Sequence, residues 1–127
     1  MAETPPTGLT FGRRARIKQA RDFSRVRQEG ERLVLGTLIA NWRPLPGDAS
    51  SRLGVVTSKK IGNAVVRNRA RRLLREVFRL HQNELAQPVD LVLVARASIR
   101  NKGCAEVEKD FLTTLRKARL LKERKTE

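Results

Sequence analysis

The stretch from Ser58 to Arg79, SKKIGNAVVRNRARRLLREVFR, constrains the fold more than any other part of this chain. Lys59, Lys60, Arg67, Arg69, Arg71, Arg72, Arg75 and Arg79 share it with one acid, Glu76. A solvated basic tail has no use for Val66, Leu73, Leu74 and Val77 at helical spacing. At about 100° per residue, Ala70, Leu73, Leu74, Val77, Leu80 and His81 gather around Val66, with Phe78 at the margin. Asn68, Arg71, Arg72, Arg75 and Arg79 fall on the opposite arc, and Arg67 and Arg69 on the flanks. Like charges so placed repel by a few tenths of a kcal/mol per pair. Phosphate oxygens would relieve that repulsion, because each guanidinium can grip them with two hydrogen bonds. The segment therefore reads as a folded helix, packed on one side and facing a polyanion on the other. A merely solvated charged face would mix the two signs.

The whole chain carries the same bias. Its formal net charge is +15 over 127 residues, well beyond what solubility needs, and such a field draws polyanions. Nucleic acid is the first candidate partner and a membrane surface the second. No apolar run approaches the roughly 18 residues needed to span a bilayer, and the N-terminus lacks the pattern of a secretion signal. Cys104 and His81 stand alone of their kinds, which argues against an intrachain disulfide and a protein-only zinc site. Cys104 reads as a small structural residue and His81 as a packed or boundary histidine. The expected compartment is the cytoplasm.

Hydrophobic residues make up 39% of the chain, enough for the core of one domain. Residues 1–16 read as a flexible arm with a basic end, residues 17–121 as a single domain, and residues 122–127 as a frayed tail. A helical pattern runs from Ile17 to Gln28, with Gly30 as its stop. Leu33–Leu35 and Leu38–Trp42 read as strands bent near Gly36, and Arg52–Ser58 as a third. Gly62 and Asn63 supply a turn and a cap before a helix over 64–80. Residues 89–95, VDLVLVA, have the continuous apolar character of a strand buried on both faces. A last helix is expected from Cys104 to about Leu121. The order predicts an α+β sandwich: helix, strands, helix, strand, helix around one mixed sheet of about four strands.

No catalytic constellation emerges. The chain has no phosphate-binding glycine loop, no HExxH and no GxSxG. Asp22, Asp48, Asp90 and Asp110 fall on different elements, without the spacing that would converge carboxylates on metal ions.

The run from Ser58 to Arg75, with Arg67-Asn68-Arg69 after Lys59-Lys60-Ile61-Gly62-Asn63-Ala64, closely resembles the signature of the protein subunit of bacterial ribonuclease P. Asp22-Phe23 with Val26 and Gly30, RLGVVTS and DLVLVAR resemble other parts of that family, and the likeness covers roughly residues 13–120. It implies a small sandwich containing a left-handed strand–helix–strand crossover, against the usual hand. It also implies a non-catalytic, monomeric protein that supports removal of the 5′ leader from precursor tRNA. Catalysis and the required magnesium ions would belong to the RNA subunit, and no cofactor is assigned to the protein. The implied partners are that RNA and the leader, with neither DNA nor membrane.

By this resemblance Lys59, Lys60, Asn63, Arg67, Asn68, Arg69 and Arg72 would meet the catalytic RNA. Phe23, Ile39, Asn41, Arg71 and Arg75 would hold the leader, in a cleft between the first helix, the sheet and the motif helix. Phe23 would offer a platform for a base, although its helical stripe could equally use it as core. Some members carry a second aromatic where this chain has Arg27, and a tyrosine where it has Asn41 followed by Trp42. Strand alternation allows only one of Asn41 and Trp42 to face the cleft without a bulge. The alternative is a ribosomal or other structural RNA-binding protein. A DNA-binding helix protein is a third class, disfavoured by the lack of a dimerisation pattern.

Overall fold

Central placement of the apolar run 89–95 organises the molecule. The structure, a computed structural model, describes residues 16, 17, 19–47 and 49–122. The chain runs α1 (Ala20–Glu29), β1 (Glu31–Leu35), β2 (Leu38–Pro44), β3 (Arg52–Val56), α2 (Ala64–His81), β4 (Val89–Ala95) and α3 (Cys104–Lys117). Short 3₁₀ turns lie at Lys59–Ile61, Gln82–Glu84 and Ala97–Asn101. The sheet order is β1-β2-β4-β3. β4 is antiparallel to β2 and parallel to β3, so α2 is the crossover of a strand–helix–strand unit. This is the α+β sandwich expected, with four strands in one mixed sheet.

Strand alternation sends side chains to two different layers. Leu38, Ala40 and Trp42 of β2 and Leu91 and Leu93 of β4 join the main core with Leu74, Val77 and Phe78 of α2 and Phe111 and Leu115 of α3. On the other face, Val92 packs with Ile17 and Val26, and Phe23, Val56 and Val94 close around them. β4 is thus covered on both faces, which is why its sequence is apolar at successive positions.

The α1 face is tied to the sheet by charge. Asp90 is 1% exposed and accepts two hydrogen bonds from Arg52, at 2.8 and 2.7 Å. Arg52 also approaches Asp22 of α1, and Arg43 lies between Asp90 and Glu29. The buried carboxylate is therefore paired, as burial demands.

Two helix boundaries differ from the expectation. Ile17 precedes α1; its backbone N–H donates to the Leu53 carbonyl at 2.9 Å, and Arg16 forms a parallel bridge with Leu53. An apolar residue at helical spacing served an extended segment equally well. α3 ends at Lys117 rather than near Leu121. Leu120 is buried beyond it, and Leu121 bridges to Leu85. Residues 1–15 of the expected arm over 1–16 and residues 123–127 of the expected tail over 122–127 lie outside the described residues.

Candidate nucleic-acid interface

The turn before α2 is built by its own sequence. The Ser58 side chain accepts from the Lys60 N–H at 3.3 Å, and Ile61 is buried as the anchor of the 3₁₀ turn. Gly62 adopts φ +150°, and a Cβ there would stand 2.8 Å from the Val66 Cβ, so glycine is required. Asn63 caps α2, its Oδ1 accepting from the Val66 N–H at 3.1 Å. Lys59, Lys60 and Asn63 are left exposed beside the positive end of the helix dipole, and the first turn of α2 contains no acid. A helix stabilised for itself carries acids there.

The arginines of α2 divide by direction. Asn68 and Arg72 are exposed on the outer face. Asn68 Oδ1 accepts from Arg71 Nη1 at 2.6 Å. Arg69 points to the α3 side and donates to the Lys102 carbonyl at 2.5 Å, fastening α2 to the segment after β4. Arg67, Arg71 and Arg75 form an i, i+4, i+8 ridge on the other flank, all half-buried. The Arg67 Nε is buried with no hydrogen-bond partner. Burial first, then the nearby charges of Arg16 and Arg71, hold the Arg75 pKa below the usual arginine value. Among the described residues, none of Arg67, Arg69, Arg71, Arg72 and Arg75 pairs with a carboxylate. Arg79, one turn further on, does: Glu76 takes its guanidinium at 2.7 Å.

A separate groove of about 280 Å³ opens on the α1 face. Ile39, Val56, Val92 and Val94 make its floor, Phe23 a wall, and Arg27, Arg32 and Asn41 its polar edge. Phe23 is half-buried because its ring rests on β3: a Cβ on Gly54 would come within 2.6 Å of it. The same ring is thus both packing element and groove wall. Asn41 faces the groove, whereas Trp42 lies in the opposite core at 6% exposure, as strand alternation requires.

The structure therefore gathers Phe23, Ile39 and Asn41 in one groove and leaves Arg71 and Arg75 outside its lining. α2 packs on the opposite sheet face, and Arg75 comes near Arg16 at the outer edge of β3 instead. Arg32, which the sequence did not single out, reaches the groove because β1 pairs it directly with Asn41. Among the described residues no three His, Cys, Asp or Glu side chains form a metal-binding cluster, and no helix is long and apolar enough to cross a membrane.

A mixed sheet with a cation-rich crossover helix and a half-covered apolar face defines a small, strongly basic α+β protein of the kind that meets polyanions. The sequence model of the family described as Ribonuclease P matches residues 11–119. The chain is 39% identical over 108 residues to the "Ribonuclease P protein component" of Syntrophomonas wolfei, covering 85% of this chain and 90% of that one. It is 36% identical to the component of the same name from Oceanobacillus iheyensis, covering 84% and 88%. Among solved structures, the Staphylococcus aureus RNase P protein superposes with a TM-score of 0.77 at 27% identity, covering 85% of this chain and 98% of that one. The Thermotoga maritima RNase P protein gives 0.72 at 28% identity, covering 80% and 96%. The chain belongs to the ribonuclease P protein family. It is a protein component of that ribonucleoprotein endoribonuclease, and so a partner of ribonuclease P RNA. Nothing in these likenesses supports the ribosomal alternative.

Proposed function

We propose that the chain holds two RNAs at once. The turn and the N-terminal half of α2, with Lys59, Lys60, Asn63, Asn68 and Arg72 exposed and Arg67 at the head of the flanking ridge, bind the catalytic RNA. Arg69 supports that face by fastening α2 to the Lys102 carbonyl, and its remaining donors meet the same RNA. The groove with Phe23, Ile39 and Asn41 takes the single-stranded 5′ leader of precursor tRNA. Its apolar floor accepts a base, a contact worth about 1–3 kcal/mol where an aromatic stacks. Arg27 and Arg32 neutralise leader phosphates there. Arg71, Arg75 and Arg16 continue the positive strip around the β3 edge and carry the leader toward α2.

The observation that carries this reading is the run of arginines from Arg67 to Arg75, without carboxylate partners among the described residues, beside an acid-free helix start. On this reading the protein does no bond chemistry. Hydrolysis and its magnesium belong to the RNA subunit. The protein acts as a monomer in the cytoplasm and lowers the cost of bringing two polyanions together. The test is reconstitution with the host's ribonuclease P RNA and cleavage of precursor tRNA at low magnesium. A clear gain over RNA alone is expected, and the absence of any gain overturns the reading.

A further inference from the structure

Beyond the C-terminal end of α2 lies a depression of about 900 Å³ that neither RNA contact above uses. Its size is within the range of true ligand clefts, roughly 300–1,000 Å³. Leu112, Leu121 and Ala86 give it an apolar floor, and Arg116, Arg119 and Lys122 give it a cationic rim. The Lys59–Asn63 turn is an α2 length away, roughly 27 Å at 1.5 Å per residue.

The rim is fixed by a strained backbone. After α3 the Leu120 N–H donates to the Leu115 carbonyl at 2.9 Å and the Arg119 N–H to the Arg116 carbonyl at 3.1 Å. This is a left-handed helix ending, and Arg119 occupies its left-handed position at φ 61°. Glycine is the usual occupant because a Cβ is penalised there. Two more bonds lock the segment: Ala86 N–H to the Leu120 carbonyl at 2.7 Å and Lys122 N–H to the Glu84 carbonyl at 2.8 Å. An arginine held in a conformation that costs stability, at the mouth of a cleft, suggests a role for its side chain.

Charge points the same way. Among the described residues, Arg116, Arg119 and Lys122 form no ion pair with a carboxylate. Arg116 also suits the negative end of the α3 dipole, but Arg119 and Lys122 lie past the helix. Glu84, the acid in the depression, is occupied by His81 Nδ1 at 2.7 Å. Unpaired cations around an apolar floor match a nucleotide, with phosphate on the rim and base on the floor.

We propose that this depression is a second RNA site, taking a single-stranded nucleotide segment at the opposite end of α2 from the motif turn. The inference rests on the reading that the chain binds RNA. The segment can come from the catalytic RNA or from the substrate, and two binding measurements distinguish them. Full-length wild-type, Arg119→Gly and Arg116→Ala/Lys122→Ala proteins are titrated with ribonuclease P RNA, and the assembled holoenzymes with precursor tRNA, across salt. Arg119→Gly relieves the strained φ, so its melting temperature holds or rises while RNA affinity falls three- to tenfold. The double variant lowers the salt slope by roughly two, about one per lost phosphate contact. Loss in the first titration assigns the segment to the catalytic RNA; loss only in the second assigns it to the substrate. Wild-type affinity and salt slope for both variants in both titrations overturn the proposal. Arg67→Ala/Arg72→Ala, run in parallel, reports on the motif face: if it alone binds normally, that face is misread and the second site stands.

Discussion

α2 and α3 lie side by side on one sheet face and feed the same core, yet the charges at their starts follow opposite rules. α3 carries Glu106 in its first turn, where the side chain accepts from the Gly103 N–H at 2.9 Å, and Arg116 and Lys117 in its last. That is the order a helix dipole favours. α2 begins with Lys59 and Lys60 before an acid-free first turn, followed by Arg67, Arg69, Arg71, Arg72 and Arg75, none of which has an acidic partner among the described residues. The dipole and the core account for Glu106 and Lys117 of α3 without any partner. At the start of α2 the charge is misplaced for stability, and on the proposed reading RNA phosphates supply the missing negative charge.

The largest expected effect breaks the α2 side. Arg67→Ala/Arg72→Ala should weaken binding of ribonuclease P RNA by about 100-fold near physiological salt, through lost phosphate contacts, and flatten the salt dependence. Its melting temperature should stay within a few degrees of wild type. Filter binding across salt, beside calorimetry, checks both. A large loss of stability with unchanged affinity would make α2 an ordinary structural helix.

The complementary break is on α3. Asp110 Oδ2 accepts from the Thr37 N–H at 2.9 Å and the Thr37 hydroxyl at 2.8 Å, holding the β1–β2 turn. Asp110→Ala should cost about 2 kcal/mol, the scale of hydrogen bonds to a charged acceptor. RNA affinity of the folded protein should not change. Denaturant unfolding and the same binding assay together decide this.

These contrasts were partly legible in the sequence. The α2 stripe and the β4 run state their own periods, and both elements form where those periods place them. Local chemistry also announced the turn, through Gly62 and Asn63; Ser58, which read as the end of a strand, joins it in the structure. The ends of α1 and α3 were less legible because Ile17, Leu120 and Leu121 fit a helical stripe and an extended packed segment equally well. Arg119 hid the end of α3 further, since the left-handed position normally shows a glycine. In the groove, period two brought Ile39 and Asn41 together, but Arg32 depends on the β1–β2 register. Nor could periodicity reveal that α1 and α2 cover opposite sheet faces, which keeps Arg71 and Arg75 out of the groove.

Where the helices meet, pH gives a smaller test. His81 of α2 has Nδ1 2.7 Å from Glu84 and Nε2 2.6 Å from Glu108 of α3, with the Phe111 ring centroid 6.3 Å away. Burial works against the charged ring, but hydrogen bonds to Glu108 and Glu84 outweigh it and hold the pKa above the ordinary value. A raised folded-state pKa stabilises fully below the unfolded value, about 6.5, and that contribution is lost as pH rises through the folded one. His81→Gln should therefore cost about 1 kcal/mol at pH 5.5 and much less at pH 9. A pH-independent cost in denaturant unfolding would show that the ring acts by packing alone.

The finest test rewrites α2 in the manner of α3. Val65 is 75% exposed in the first turn, so a glutamate there displaces no packing. An acid at that end gains roughly 0.3–1 kcal/mol from the dipole, and glutamate is also the better helix former. Val65→Glu should raise the melting temperature by about 1–4 °C. The same carboxylate would stand where RNA phosphates approach, so affinity for ribonuclease P RNA should fall several-fold, most at low salt. A solvated face predicts the gain in stability without the loss in affinity. Opposite movement of the two quantities would mean that the charge order of α2 trades stability of the free protein for its partner, a trade that the first turn of α3 does not make.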